Sequence, residues 1–221
     1  MVPNLIIEAC VENFEEAKIA IQNGANRIEL CSALHLDGLT PEIKEINSCL
    51  RELTTPVKIM LRPRPGDFTY GPADQDILLS QISALKKLGV KHLVYASLKE
   101  GSLNLKDILH IWKTFEGANQ LKSLTIHKAI DQTSNIKNEV KRLLEFLPNF
   151  GNTNLAILSS GTYKTALAGQ KCLNEMFDLC QGKIELIAAG SITHHNLSTY
   201  KNLLKTNSLH GRKIVNMSDG K

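Results

Sequence analysis

The run Lys58-Ile59-Met60-Leu61-Arg62-Pro63-Arg64-Pro65-Gly66-Asp67-Phe68 holds the densest chemistry in the chain: an apolar, strand-like segment runs into two arginines, two prolines, a glycine and an aspartate. Residues two apart share a face of a strand, so Met60, Arg62 and Arg64 are expected to point the same way. A guanidinium keeps its charge on burial and needs an anion within reach, either a carboxylate of the protein or one of a ligand. Two of them at one strand end imply an anion site, on a backbone that the prolines hold still. A structural ion pair with Asp67 or a nearby glutamate would use the same residues.

Two other segments repeat one pattern. Ile7-Glu8-Ala9-Cys10 and Ile28-Glu29-Leu30-Cys31 each put a carboxylate and a thiol on one strand face. Two thiolates on adjacent strands could hold a soft ion. Cu(I) favours sulfur and accepts two ligands, so Cys10 and Cys31 are the metal candidates, with His127 or His210 as additional donors. Packing as small buried hydrophobes is the alternative, and no CxxC spacing or histidine cluster supports a metal. Glu8 and Glu29 fall one layer deeper, as ion-pair partners of Arg62 and Arg64 or as proton carriers with raised pKa.

In His127-Lys128-Ala129-Ile130-Asp131, a histidine at a strand end is followed by a carboxylate, a candidate acid/base pair. Ser159-Ser160-Gly161 and Ala189-Gly190-Ser191 each end a strand and precede a helix, so their amides could receive an anion. Gly190 and Ser191, with His210, Gly211 and Arg212, would lie where barrels often place a phosphate. A plain tight turn explains either glycine equally well.

Positioning these residues requires a regular scaffold. Strands are expected over 5–10, 27–31, 57–61, 90–96, 121–127, 154–158, 184–189 and 208–211. Helices are expected between them over 14–22, 40–53, 74–88, 105–115, 135–147, 164–180 and 195–205. Apolar strands alternating with helices predict an α/β fold, a single-domain (β/α)8 TIM barrel over 1–221 with its eighth helix short or absent. An open doubly wound sheet is the alternative, but Cys10-Val11-Glu12-Asn13 stands where its glycine-rich fingerprint would be. With only Arg212 to Lys221 left after the last strand, the outer wall there is thin, and a partner subunit would cover it in a homo-oligomer, dimer or tetramer.

The bulk properties narrow the function. The 26 Lys and Arg give a net charge of only +4 and are scattered along helical segments, with no run that tracks phosphates, so nucleic acid is not expected as a partner. No apolar run reaches membrane-spanning length. Met1-Val2-Pro3-Asn4 leads into a strand without a charged start and apolar signal core, so a cytoplasmic protein is expected. The five cysteines, Cys10, Cys31, Cys49, Cys172 and Cys180, are odd in number and widely spaced, which predicts reduced thiols.

As a set, these residues resemble the CutC family, named for copper homeostasis. The resemblance is carried by Ile7-Glu8-Ala9-Cys10, the run from Gly24 to Cys31, Gly38-Leu39-Thr40-Pro41, the arginine loop, His127 with Asp131, Ser160-Gly161 and the segment Leu209 to Val215. It implies a cytoplasmic barrel, an oligomer and a part in copper trafficking or tolerance, with Cu(I) bound by some members; it implies no established reaction. Pro65 and Asp37 stand where the family usually has glycine, Lys128 where arginine is frequent, and Ser191 where glycine or alanine is usual. Two functions therefore compete. One is Cu(I) binding through Cys10 and Cys31. The other is a lyase, isomerase or hydrolase acting on a small anionic or phosphorylated metabolite, with Arg62 and Arg64 gripping the anion and Glu8, Glu29, His127 or Asp131 moving protons.

Overall fold

Eight parallel strands close into a ring in the computed structural model, which describes residues 5–116 and 121–218. They are β1 (Ile6–Val11), β2 (Arg27–Leu30), β3 (Val57–Met60), β4 (His92–Val94), β5 (Ser123–Ile126), β6 (Asn154–Ser159), β7 (Glu185–Ala188) and β8 (Ser208–Gly211). Each pairs with the next along the chain, and β8 pairs with β1 to close the barrel. Between them come α1 (Phe14–Gln22), α2 (Ile43–Glu52), α3 (Pro72–Lys87), α4 (Leu105–Glu116), α5 (Ile136–Phe146), α6 (Gln170–Cys180) and α7 (Leu197–Leu203). This is the expected (β/α)8 barrel. No helix follows β8 among the described residues, where 212–218 form turns and bends. The segment Met1 to Asn4, read from sequence as leading into β1, lies outside the described residues.

Local chemistry sets the helix starts. Asn13 caps α1 by accepting from the Glu16 amide, and Asn135 caps α5 by accepting from the Asn138 amide. Pro72 sits in the first turn of α3, where an N–H would have no helical partner anyway. Ala9, Val11, Ile28, Leu30 and Ile59 share one core with helix residues such as Ala17, Ile46, Leu78 and Ile82. A fully buried Leu or Ile of this kind contributes about 1.5–3 kcal/mol. Glu8, Cys10, Glu29, Lys58 and His210, alternating with that set, are buried on the opposite, inward face. No helix among the described residues is long and apolar enough to cross a membrane.

Two local expectations are corrected, and some short elements stand where none was expected. The helix expected from 40 starts at Ile43, because the Thr40 hydroxyl is engaged with the Arg62 backbone and Gln81. The helix expected from 164 starts only at Gln170. Ahead of it, the chain doubles back so tightly that a Cβ on Gly169 would lie 2.0 Å from the Ser160 carbonyl oxygen. Finally, a hairpin of Leu98–Lys99 with Ser102–Leu103, and 3-10 turns at Leu34–Leu36, Lys128–Gln132 and Leu147–Phe150, had no periodic pattern to announce them.

Gly169 has an ordinary φ of −86°, so its role is close approach and not backbone freedom. Gly169→Ala is expected to cost about 2–4 kcal/mol in urea denaturation, since backbone must move to admit the methyl. A loss below about 0.5 kcal/mol, the size of an ordinary surface change, would contradict the tight turn.

Candidate functional site

At the heart of the barrel sits Glu8, with 0 % of its surface exposed. The parallel register sets it beside Arg27 on β2 and His210 on β8. Its carboxylate accepts from Arg27 Nε, from His210 Nδ1 at 2.9 Å, and from Lys58 Nζ at 3.0 Å. Lys58 also donates to Thr125 Oγ1 at 2.9 Å, and Arg27 reaches Glu185 at 2.8 Å. Burial alone would raise the Glu8 pKa, but Lys58, Arg27 and His210 together hold it well below the usual 4.5. Burial likewise opposes charge on His210, yet Glu29, Cys10 and Glu8 raise it well above 6.5. Glu8 is thus a fixed anion, and the expectation that it pairs with Arg62 or Arg64 is corrected to Arg27, Lys58 and His210.

One layer towards the carboxyl end, Cys10 and Cys31 bring their sulfurs to 3.8 Å. Glu29 Oε1 lies 3.7 Å from Cys10 Sγ and 3.6 Å from Cys31 Sγ, with His210 Nε2 at 3.9 Å. The hydrogen bond from Cys31 outweighs burial and lowers the Cys10 thiol to about 5, with His210 adding to the effect. Cys31, as the donor beside an anion, is pushed well above 9. Burial raises Glu29 to about 8 against the attraction of His210, with Cys10 and Glu8 adding to the rise. The pair is therefore one thiolate and one thiol beside a carboxyl that holds its proton near neutral pH.

The two arginines part company. Because β3 ends at Met60, strand alternation no longer governs the residues beyond it. Arg62 is buried and donates to the carbonyls of Leu36, Gly38 and Gly66, and its guanidinium lies 4.7 Å over the Phe68 ring. Arg64 turns away from the mouth to pair with Asp67 and Asp74, both at 2.9 Å, so the structural ion pair is what this residue makes.

His127 and Asp131 are separated as well. His127 Nδ1 accepts from the Ala129 amide at 3.1 Å, which leaves the ring proton on Nε2. Burial, then the Arg62 charge, lowers its pKa to about 3, so the ring is neutral. Nε2 has no hydrogen-bond partner among the described residues. Asp131 instead clasps the loop after β6, accepting from Ser159 Oγ, from the Ser160 amide and hydroxyl at 2.9 Å each, and from the Thr162 amide. Gly161 donates to Ser159 Oγ at 2.9 Å. The Ser160 and Gly161 amides are thus already occupied, which corrects their expected part in an anion site.

The mouth above these groups is a pocket of about 690 Å³. Cys10, Cys31, Glu29, Met60, Phe68 and His127 line it, together with His210, Ser160 and the Gly190-Ser191-Ile192 turn. Gly190 has a φ of +111°, and a Cβ there would come within 2.9 Å of Ala166 N and Ser160 Cβ. Sequence reasoning missed Arg27 and Lys58, although the same alternation that places Met60 inward places Lys58 inward. It also gave no part to Phe68, or to Lys164 and Lys213 at the rim.

A closed ring of eight parallel strands, with its polar groups gathered at the carboxyl ends, defines a TIM barrel with a mouth site. The chain belongs to the CutC family, whose model matches residues 5–215. A family protein CutC from Aliivibrio fischeri (strain MJ11) is 35% identical over 191 residues, covering 86% of this chain and 74% of the relative. One from Enterococcus faecalis is 32% identical over 216 residues, 96% of this chain and 100% of its own. Among solved structures, a copper homeostasis protein CutC from Streptococcus agalactiae superposes with a TM-score of 0.83 at 22% identity, covering 96% of this chain and 100% of that one. An N-(5'-phosphoribosyl)anthranilate isomerase from Pyrococcus furiosus shares the fold at a TM-score of 0.55 and 11% identity, covering 94% of this chain and 87% of that one.

Removing the Glu8 charge would leave Lys58 without a carboxylate in the barrel interior and Arg27 with Glu185 alone. Glu8→Gln is expected to cost about 3–5 kcal/mol at pH 7 by chemical denaturation. The folded carboxylate titrates below its ordinary 4.5, so its contribution is complete above that pH and drains away as the pH falls through the folded value. The deficit of the variant should therefore narrow below pH 4.5, and a deficit that grew there would refute the assignment.

Proposed function

We propose that this chain binds Cu(I) between Cys10 and Cys31 and serves copper homeostasis. The observation that carries the reading is the 3.8 Å between the two sulfurs at the floor of the mouth. Two metal–sulfur bonds of about 2.3 Å span up to about 4.6 Å, so one ion can touch both. Thiolate pairs select soft ions, and Cu(I) is content with so few ligands. Cys10 is already an anion, and binding would release the proton of Cys31. Glu29 places a carboxyl oxygen within 4.8 Å of both sulfurs, a third donor once binding releases its proton.

Neither histidine completes the set. His127 carries its proton on Nε2, and His210, with its pKa raised well above 6.5, is protonated on both ring nitrogens. The names of the relatives support the same role. We further place the protein in the cytoplasm, where the free thiols stay reduced, and as a homo-oligomer in which a second copy covers the wall beside β8.

Under reducing conditions, competition with a Cu(I) chelator should show tight binding by the unaltered protein. The Cys10→Ser/Cys31→Ser variant should bind at least about 100-fold more weakly, a larger loss than outer-shell changes produce. Undiminished affinity in that variant, with its barrel intact by circular dichroism, would dismiss the reading.

A further inference from the structure

The mouth contains a second set of groups that copper does not use. His127 is 3% exposed, its ring is neutral, and its Nε2–H, beneath the pocket, lacks a hydrogen-bond partner among the described residues. A buried N–H left unpaired costs about 1–3 kcal/mol, so its persistence asks for an acceptor that the protein does not supply. The donor is also held rigidly. The Ala129 amide fixes the tautomer, and the ring packs 4.9 Å from Phe68, over which Arg62 also lies. A neutral imidazole N–H in a site closed from water is suited to a carbonyl oxygen, whose charge it polarises without giving up the proton.

Across the pocket, the Gly190, Ser191 and Ile192 amides make no hydrogen bond to any described residue. Gly190 and Ser191 both have positive φ, at +111° and +59°. Consecutive free amides in such a turn receive the oxygens of an anion. The turn follows β7, where barrel folds commonly seat phosphate. Lys128, Lys164, Arg212 and Lys213 stand around the rim. Of the acids there, Asp131 is consumed by its loop and Asp37 faces Arg212 at 3.6 Å, so the rim attracts an anion.

We propose that the mouth binds a small phosphorylated carbonyl compound, its phosphate on the Gly190-Ser191-Ile192 amides and its carbonyl oxygen on His127 Nε2–H. This ligand is independent of Cu(I): it uses oxygen-seeking donors on the wall, and the ion uses the sulfurs of the floor. The pocket of about 690 Å³ has room for a three- or four-carbon phosphate ester, and the same pocket is lined by His127 and by the Gly190-Ser191-Ile192 turn.

Titration calorimetry with dihydroxyacetone phosphate and with glycerol 3-phosphate, which lacks the carbonyl, tests both ends. Unaltered protein should bind the first about tenfold more tightly than the second, the scale of one well-made hydrogen bond. His127→Leu should erase that preference while leaving glycerol 3-phosphate unaffected, and His127→Gln, which restores an N–H donor, should recover part of it. Lys164→Ala/Arg212→Ala, at exposed positions that do not threaten the fold, should weaken both probes. The carbonyl carbon-13 resonance of the bound ketone in the unaltered protein should move downfield, which a merely structural histidine would not cause. Saturable binding of neither probe, equal binding of the two, or an unmoved carbonyl resonance would each overturn the proposal. Because the Cys10→Ser/Cys31→Ser variant should retain dihydroxyacetone phosphate binding, failure of the copper reading and failure of this one are separately visible.

Discussion

A carboxylate without water, Glu8, governs the interior of this barrel. Its burial would be prohibitive alone, and it is tolerated because β2, β3 and β8 each deliver a cation or a proton to it. That demand has effects one layer away. Against burial, Glu29 and Cys10, with the hydrogen bond to Glu8 adding to them, raise His210 well above its ordinary pKa, and its charge in turn adds to the Cys31 hydrogen bond that favours an anionic Cys10. The sulfur chemistry at the floor of the mouth is in this way linked, through His210, to a carboxylate that touches neither sulfur.

The mouth divides by chemical taste. Its floor, Cys10 and Cys31 beside the Glu29 carboxyl, offers soft sulfur donors, one of them anionic. Its wall, His127 and the turn after β7, offers hydrogen-bond donors that suit oxygen. Arg62, which looked from sequence like an anion clamp, belongs to neither. Its two terminal nitrogens are spent on three loop carbonyls, so it builds the rim, and its charge adds to the burial that keeps His127 neutral. Functional geometry and structural geometry are in this way made from the same residue.

What could be read from sequence, and what could not, follows from how each feature is encoded. The pairing of Cys10 with Cys31 was legible because period-two alternation and adjacent strands suffice to bring them together. The same rule failed beyond Met60, where no ladder continued to hold Arg64 in phase. Asp131 was seen but given the wrong partner. It serves a loop 28–31 residues away, largely through backbone amides, which every residue possesses and which leave no mark in a sequence. The late start of α6 was hidden for a similar reason, since Gly169 against Ser160 is a contact between two turns and not a propensity. Arg27 and Lys58 were in plain sight on inward positions, yet a charge in a strand is easily assigned to its solvent edge.

The hydrogen bond from His210 to Glu8 joins residues 202 positions apart. A chain emerging from the ribosome thus carries Glu8, Arg27 and Lys58 long before it carries the strand that seals them in. Until β8 arrives, three ionic groups face an open seam, and no half-barrel offers them a dry, balanced home. The nascent chain is consequently expected to wait, loosely ordered, and to acquire its native interior in one late cooperative event, guarded in the meantime by whatever holds unfinished proteins apart.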